Sequence, residues 1–169
     1  MTLIGEVIKK AIDFNGFLNK ESNPVKAQKA VLKLLLKKAR LTAFGRRYKF
    51  GEILESKNPI KSFQENVPYH DYDKIYEEYW KYLLEGHQNV TWPGGQKFFA
   101  LSSGTTSNKK SIPVTDDMIS AIKNSGLQQV MSLRNFDLPS GFFEKQILML
   151  GSSTHLIKAE DHEEGEIVA

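Results

Sequence analysis

At 169 residues, 40 % apolar and 25 % charged, the chain can bury a core and is too apolar for a disordered tail. It has no cysteine, which excludes disulfide and thiolate chemistry and fits a reducing compartment. The net charge of +3 is uneven: residues 1–50 hold 12 Lys/Arg against 3 acids, and the remainder holds 11 against 17. A basic N-terminal part could meet phosphate, nucleic acid or an anionic surface, or could simply be a solvated helix face.

In chain order, Thr2 to Leu18 is expected to be a helix with a stripe of Leu3, Ile4, Val7, Ile8, Ala11, Ile12 and Phe14. It lacks the apolar run and small-residue cleavage site of a signal peptide. The longest aliphatic run in the first half, Leu34 to Leu36, falls far short of the ~20 residues of a membrane span. A soluble cytoplasmic protein is the expectation. Asn23-Pro24 opens a second helix reaching about Ala43, with Lys26, Lys29, Lys33, Lys37 and Arg40 on one face. Ala27, Ala30, Val31, Leu34 and Leu35 lie on the other. Gly45 is expected to end it, leaving Arg46, Arg47, Tyr48 and Lys49 in a loop. A short helix over Pro59 to Glu65 stops before Val67-Pro68. Asp71 to Leu84 reads as an aromatic helix that packs Tyr72, Ile75, Tyr76, Tyr79 and Leu83 on one face. Gly86 ends it, and Trp92-Pro93-Gly94-Gly95 is a turn.

The pattern then changes from helical to extended. Phe98–Leu101 and Ile112–Val114 read as short strands, Thr115 or Asp116 caps a helix to roughly Leu133, and Gln146–Leu150 is a third strand. The expected class is α/β: residues 1–90 mainly helical, and 97–151 the start of a sheet.

Between the first two strands lies Leu101 to Thr115, LSSGTTSNKKSIPVT. Five small hydroxyl or glycine residues leave backbone N–H groups free to converge on an anion, and the hydroxyls add donors. Lys109 and Lys110 supply compact positive charge. The loop therefore has the donors to hold polyphosphate, although a Ser/Thr/Gly hairpin with surface lysines has the same composition. Neither G-x-x-x-x-G-K-[ST] nor G-x-G-x-x-G occurs in the chain.

The run resembles the phosphate-binding loop of the adenylate-forming superfamily: Ser/Thr, Ser, Gly, Thr, Thr, then Gly, any residue, Pro and Lys. Ser102, Ser103, Gly104, Thr105 and Thr106 match its first part and Lys110 its closing lysine. Ser107 replaces the usual glycine and Lys109 the usual proline. The flanks narrow the likeness. Val67-Pro68-Tyr69-His70-Asp71-Tyr72-Asp73, Glu85-Gly86, Trp92-Pro93-Gly94, the loop and Ile112-Pro113-Val114-Thr115 follow the order of the acyl-acid amido synthetases of the auxin-responsive-promoter family. Thr42-Ala43-Phe44-Gly45 and Phe63 to Val67 resemble the same family, so the likeness covers roughly residues 40–151.

The resemblance implies an ATP- and Mg²⁺-dependent enzyme that adenylates a carboxylic acid and passes the acyl group to an amine, usually of an amino acid. It implies that Ser102, Ser103, Thr105 and Thr106 hold the β- and γ-phosphates, that Gly104 allows close backbone approach, and that Lys110 or Lys109 pairs with phosphate. The adenine- and Mg²⁺-contacting and ribose-binding segments of the family lie beyond residue 169. The chain is thus expected to be the N-terminal part of a single adenylation domain, partnered by the remainder of that domain and inactive alone. The alternatives are a nucleotide-binding remnant, or a basic helical module on nucleic acid or membrane. The last would need aromatic residues interleaved with the basic stripe, or a wide apolar face without a core to bury it in. Neither is evident, since Phe44 and Tyr48 lie only at the end of that helix, so neither nucleic acid nor membrane is the expected partner.

Other candidates have plainer readings. His70 is expected to be structural, with Asp71 as the helix N-cap. His87, His155 and His162 lack ligand spacing, so no metal site is assigned. The aromatic face could line an acyl pocket but reads first as core. Glu160, Asp161, Glu163, Glu164 and Glu166 are expected in a solvated loop, and no catalytic residue is named.

Overall fold

The computed structural model describes residues 3–18, 23–102, 110–146, 156–158 and 166–168. The chain divides into two compact units: Met1–Asn23 with Asp116–Ser152, and Pro24–Thr115 with Ser153–Ala169.

The second unit begins with α2 (Pro24–Ala39), followed by α3 (Ala43–Arg47), α4 (Phe50–Glu55) and α5 (Pro59–Asn66). Proline opens α2, where its missing N–H costs nothing. The expected apolar face of α2 is corrected. Leu36 and Ala39 are buried, with Leu32 packed against them, whereas Val31, Leu34 and Leu35 are exposed. Phe50 and Ile53 of α4 complete that core cluster, so α4 sets which stripe of α2 is covered.

The helix expected to reach Ala43 stops at Ala39, and the reason is Thr42. Its hydroxyl, 1 % exposed as a residue, donates to the Ala39 carbonyl at 2.7 Å and accepts from Gly45 N at 3.0 Å. It thereby closes one helix and caps the next. Gly45 does not end a helix; it lies inside α3, where a Cβ would collide with the Ala39 carbonyl oxygen. Arg46 and Arg47 are helical, not in a loop. Lys49, in the left-handed region at φ 53°, starts α4. The first N–H groups of α3 are satisfied from a distant turn, Ala43 N by Asn89 O at 2.8 Å and Phe44 N by Val90 O at 2.9 Å.

The aromatic helix is built as α6 (Tyr72–Ile75), a π-helical turn (Tyr76–Trp80) and α7 (Lys81–Leu84). Asp71 is its N-cap, accepting from Lys74 N at 2.9 Å. Gly86, at φ 81°, follows its end as glycine does at helix C-termini. Tyr79 and Leu83 are buried with Val90 and Phe99, but Tyr72 and Tyr76 leave that face. A π turn takes more residues per revolution, so side chains on either side of it lose a common register.

The sheet has the order β2-β1-β4-β3, with β1 (Phe98–Leu101), β2 (Ser111–Val114), β3 (Leu156–Lys158) and β4 (Glu166–Val168). β1 pairs antiparallel with β2 and parallel with β4, and β3 pairs antiparallel with β4. Pro113 sits in edge strand β2, where a missing N–H is tolerated. A helical layer thus leads into a sheet, as an α/β chain should. Of the expected strand Gln146–Leu150, Gln146 belongs to no strand and 147–150 lie outside the described residues. Glu166 belongs to β4 and not to a loop; 160–165 lie outside the described residues.

In the first unit, α1 (Leu3–Leu18) packs against α8 (Asp116–Ser132) and two 3₁₀ turns, Leu133–Asn135 and Ser140–Glu144. Gly5 N donates to Glu144 Oε1 at 2.8 Å, and Lys9 Nζ to the Leu138 carbonyl at 2.7 Å. Ile12 is buried, while Leu3, Ile4, Val7 and Phe14 are exposed. The apolar stripe expected for α1 is therefore corrected to the face bearing Gly5, Lys9 and Ile12, which meets the Ser140–Glu144 turn.

Candidate functional site

The Ser/Thr/Gly run is carried between β1 and β2. The register Phe98↔Val114, Phe99↔Pro113, Ala100↔Ile112 and Leu101↔Ser111 brings Ser102 opposite Lys110. Ser102 N donates to Lys110 O at 3.0 Å, and Lys110 N to Ser102 Oγ at 3.3 Å. Ser102 and Lys110 therefore stand together at the hairpin mouth. Ser103, Gly104, Thr105, Thr106 and Lys109 lie outside the described residues.

Phe99, 2 % exposed, anchors the hairpin in the cluster of Tyr79, Leu83 and Val90. On the outer side of β2, the Tyr72 hydroxyl accepts from Ser111 N at 2.9 Å and faces Ser111 O at 3.4 Å, to which it donates. Lys110 Nζ lies 4.7 Å from the centre of the Tyr72 ring. Burial pushes the Tyr72 phenol above its ordinary value, aided by Tyr76 and Asp73 and opposed by the Ser111 backbone. The spacing of the aromatic helix puts Tyr72 on the core face. The missed signal is its position in the first helical turn, beyond the register that Tyr79 and Leu83 share.

A second polar group lies behind the aromatic helix. His70, with its side chain 5 % exposed, places Nδ1 2.9 Å from Pro68 O and Nε2 3.1 Å from Tyr48 Oη. Because a carbonyl only accepts, Nδ1 carries the hydrogen of that bond, and Nε2 pairs with the Tyr48 hydroxyl. Glu78 Oε2 stands 3.6 Å from Nε2. Phe44 packs against Tyr48, His70 and Tyr79 at 4.8, 5.4 and 5.0 Å between ring centres. Tyr79 Oη is buried without a hydrogen-bond partner among the described residues. Burial first, and then the Tyr48 phenol, push its pKa far above the ordinary range. His70 is thus a structural member of an aromatic cluster.

An apolar cavity of about 270 Å³ opens beside this cluster, lined among others by Leu36, Phe50, Phe63, Trp80, Thr91 and Trp92. It receives Ile75 and Trp80 from the aromatic helix but neither Tyr72 nor Tyr79. Among the described residues, no group of three His, Cys, Asp or Glu side chains could hold a metal ion, and no helix is long and apolar enough to cross a membrane.

A helical layer feeding a sheet, with a hydroxyl- and glycine-rich hairpin closed by serine and lysine, defines an α/β protein with a candidate anion-binding loop. The GH3 family N-terminal domain matches residues 14–163, and the chain belongs to that family, the auxin-responsive family of acyl-acid amido synthetases. No curated protein and no solved structure matches the chain significantly.

Proposed function

We propose that the full-length protein containing this chain is a cytoplasmic ligase that adenylates a carboxylic acid with ATP and Mg²⁺, releasing pyrophosphate. The acyl group then passes to the amine of an amino acid, with AMP leaving as the amide forms. One observation carries the reading: Ser102 and Lys110 stand paired at the mouth of the hairpin that bears the Ser/Thr/Gly run, in a chain of this family.

The donor set suits polyphosphate. Ser102, Ser103, Thr105 and Thr106 would give hydroxyl and backbone donors to the β- and γ-phosphates, and Gly104 would admit the backbone close to them. Lys110, with Lys109 beside it in sequence, would place positive charge where pyrophosphate departs. Bound Mg²⁺ supplies charge neutralisation at the phosphates. Its protein ligands would come from elsewhere in the full-length enzyme, together with the rest of the adenylation domain to which residues 1–169 would belong. We expect residues 1–169 to be inactive without that remainder.

The test is carboxylate-dependent exchange of labelled pyrophosphate into ATP by the full-length protein over a broad panel of acids. Acid-dependent exchange is the expected result. Its absence across the panel, with the protein folded and Mg²⁺ present, would favour nucleotide binding without turnover.

A further inference from the structure

We propose that Tyr72 is a positioning residue for Lys110, fixing the strand beside it and holding its ammonium over the phenol ring before polyphosphate arrives. This deepens the reading of the Ser102–Lys110 hairpin as a phosphate site and rests on it.

The strand is held first. β2 is an edge strand, so one side of its backbone has no ladder partner within the described sheet. The Tyr72 hydroxyl meets both polar groups of Ser111, accepting from N at 2.9 Å and donating to O at 3.4 Å. A neutral phenol does both at once, and a phenylalanine would do neither. Ser111 directly follows Lys110, whose backbone is tied to Ser102 from the other side. The lysine's main chain is therefore fixed on both flanks.

The side chain is held second. Its Nζ lies 4.7 Å from the Tyr72 ring centre, within the range of cation–π attraction. A free lysine loses rotamer freedom when it is ordered on a ligand. Restricting it beforehand lowers that cost at binding. The ring does not exhaust the ammonium, which has three donors and can keep one side on the phenol while others meet phosphate oxygen. Tyr72 is itself braced: its ring stacks on Tyr76 at 5.7 Å and 20°, and meets Trp80 edge-on at 6.0 Å. Both braces come from the π-helical turn, so the irregularity that takes Tyr72 off the core face also supports it at the hairpin.

The experiment is a double-mutant cycle on the full-length protein, titrating inorganic pyrophosphate and AMP calorimetrically into the parent, Tyr72→Leu, Tyr72→Phe, Lys110→Ala and the two double variants. Tyr72→Leu should weaken pyrophosphate binding about five- to tenfold, the worth of a partly desolvated cation–π contact with its anchor. Tyr72→Phe, which keeps the ring, should lose about threefold. Neither should change AMP affinity, and neither should weaken pyrophosphate further once Lys110 is alanine. The same loss with and without Lys110, or an unchanged pyrophosphate affinity in Tyr72→Leu, would overturn the positioning role. If Tyr72→Leu does not fold, the Tyr72→Phe cycle decides by the same rule. If Lys110→Ala itself leaves pyrophosphate binding intact, the phosphate reading fails first and takes this proposal with it.

Discussion

The joint at Thr42 and the mouth of the β1–β2 hairpin both bring distant backbone together, by different means. At the joint, a hydroxyl of a residue 1 % exposed bonds Ala39 and Gly45, a glycine admits a carbonyl where no side chain fits, and Asn89 and Val90 satisfy the next helix. At the mouth, Ser102 and Lys110 share two hydrogen bonds and Lys110 leans on one ring. The joint has its polar groups matched within the protein, whereas Lys110 is exposed and its ammonium is available to a ligand. Substitutions at the first should therefore register in stability, and at the second in binding.

The largest effect that would sharpen this contrast is at Gly45. Gly45→Ala drives a methyl group into the Ala39 carbonyl and should cost on the order of 3 kcal/mol in urea denaturation. A loss under about 0.5 kcal/mol, the ordinary range of a surface change, would mean the joint is not tight. Thr42→Ala comes next. It removes the cap of α3 and the bond to Ala39, and should cost about 2 kcal/mol.

Tyr79→Phe is the smallest and has the opposite sign. Deleting a buried hydroxyl that has no partner among the described residues should stabilise by up to about 1 kcal/mol. It also carries a pH signature. Folding raises the Tyr79 pKa, so above pH ~10 the unfolded chain loses this proton while the folded chain keeps it. Stability should be level below that point and fall as pH rises beyond it. Tyr79→Phe should flatten part of that alkaline fall, and an unchanged slope would contradict the assignment.

Local chemistry made much of the fold legible. Pro24 marked a helix start, Asp71 an N-cap, Gly86 a helix end, and Phe98–Leu101 a strand with the observed bounds. The errors arose where tertiary contact decides. Gly45 resembles a helix terminator, but its missing Cβ serves close approach inside α3. Lys49 takes a left-handed conformation without the glycine that would have announced it, which hid α4. On α2, two apolar stripes compete, and tertiary packing, with α4 at its centre, selects Leu36 and Ala39. At the candidate site, Ser102 and Lys110 were visible through their motif. Tyr72 was not, because its role depends on a π turn and a hairpin 39 residues away.

The most direct test of the phosphate site compares acid-dependent ATP–pyrophosphate exchange in full-length Thr105→Ala, Lys110→Ala and Thr42→Ala, each checked for folding. Exchange should collapse in Thr105→Ala and Lys110→Ala at unchanged stability, while Thr42→Ala should lose stability but keep its exchange rate per folded molecule. Near-parental exchange in both Thr105→Ala and Lys110→Ala would contradict that expectation and remove the hairpin from the phosphates.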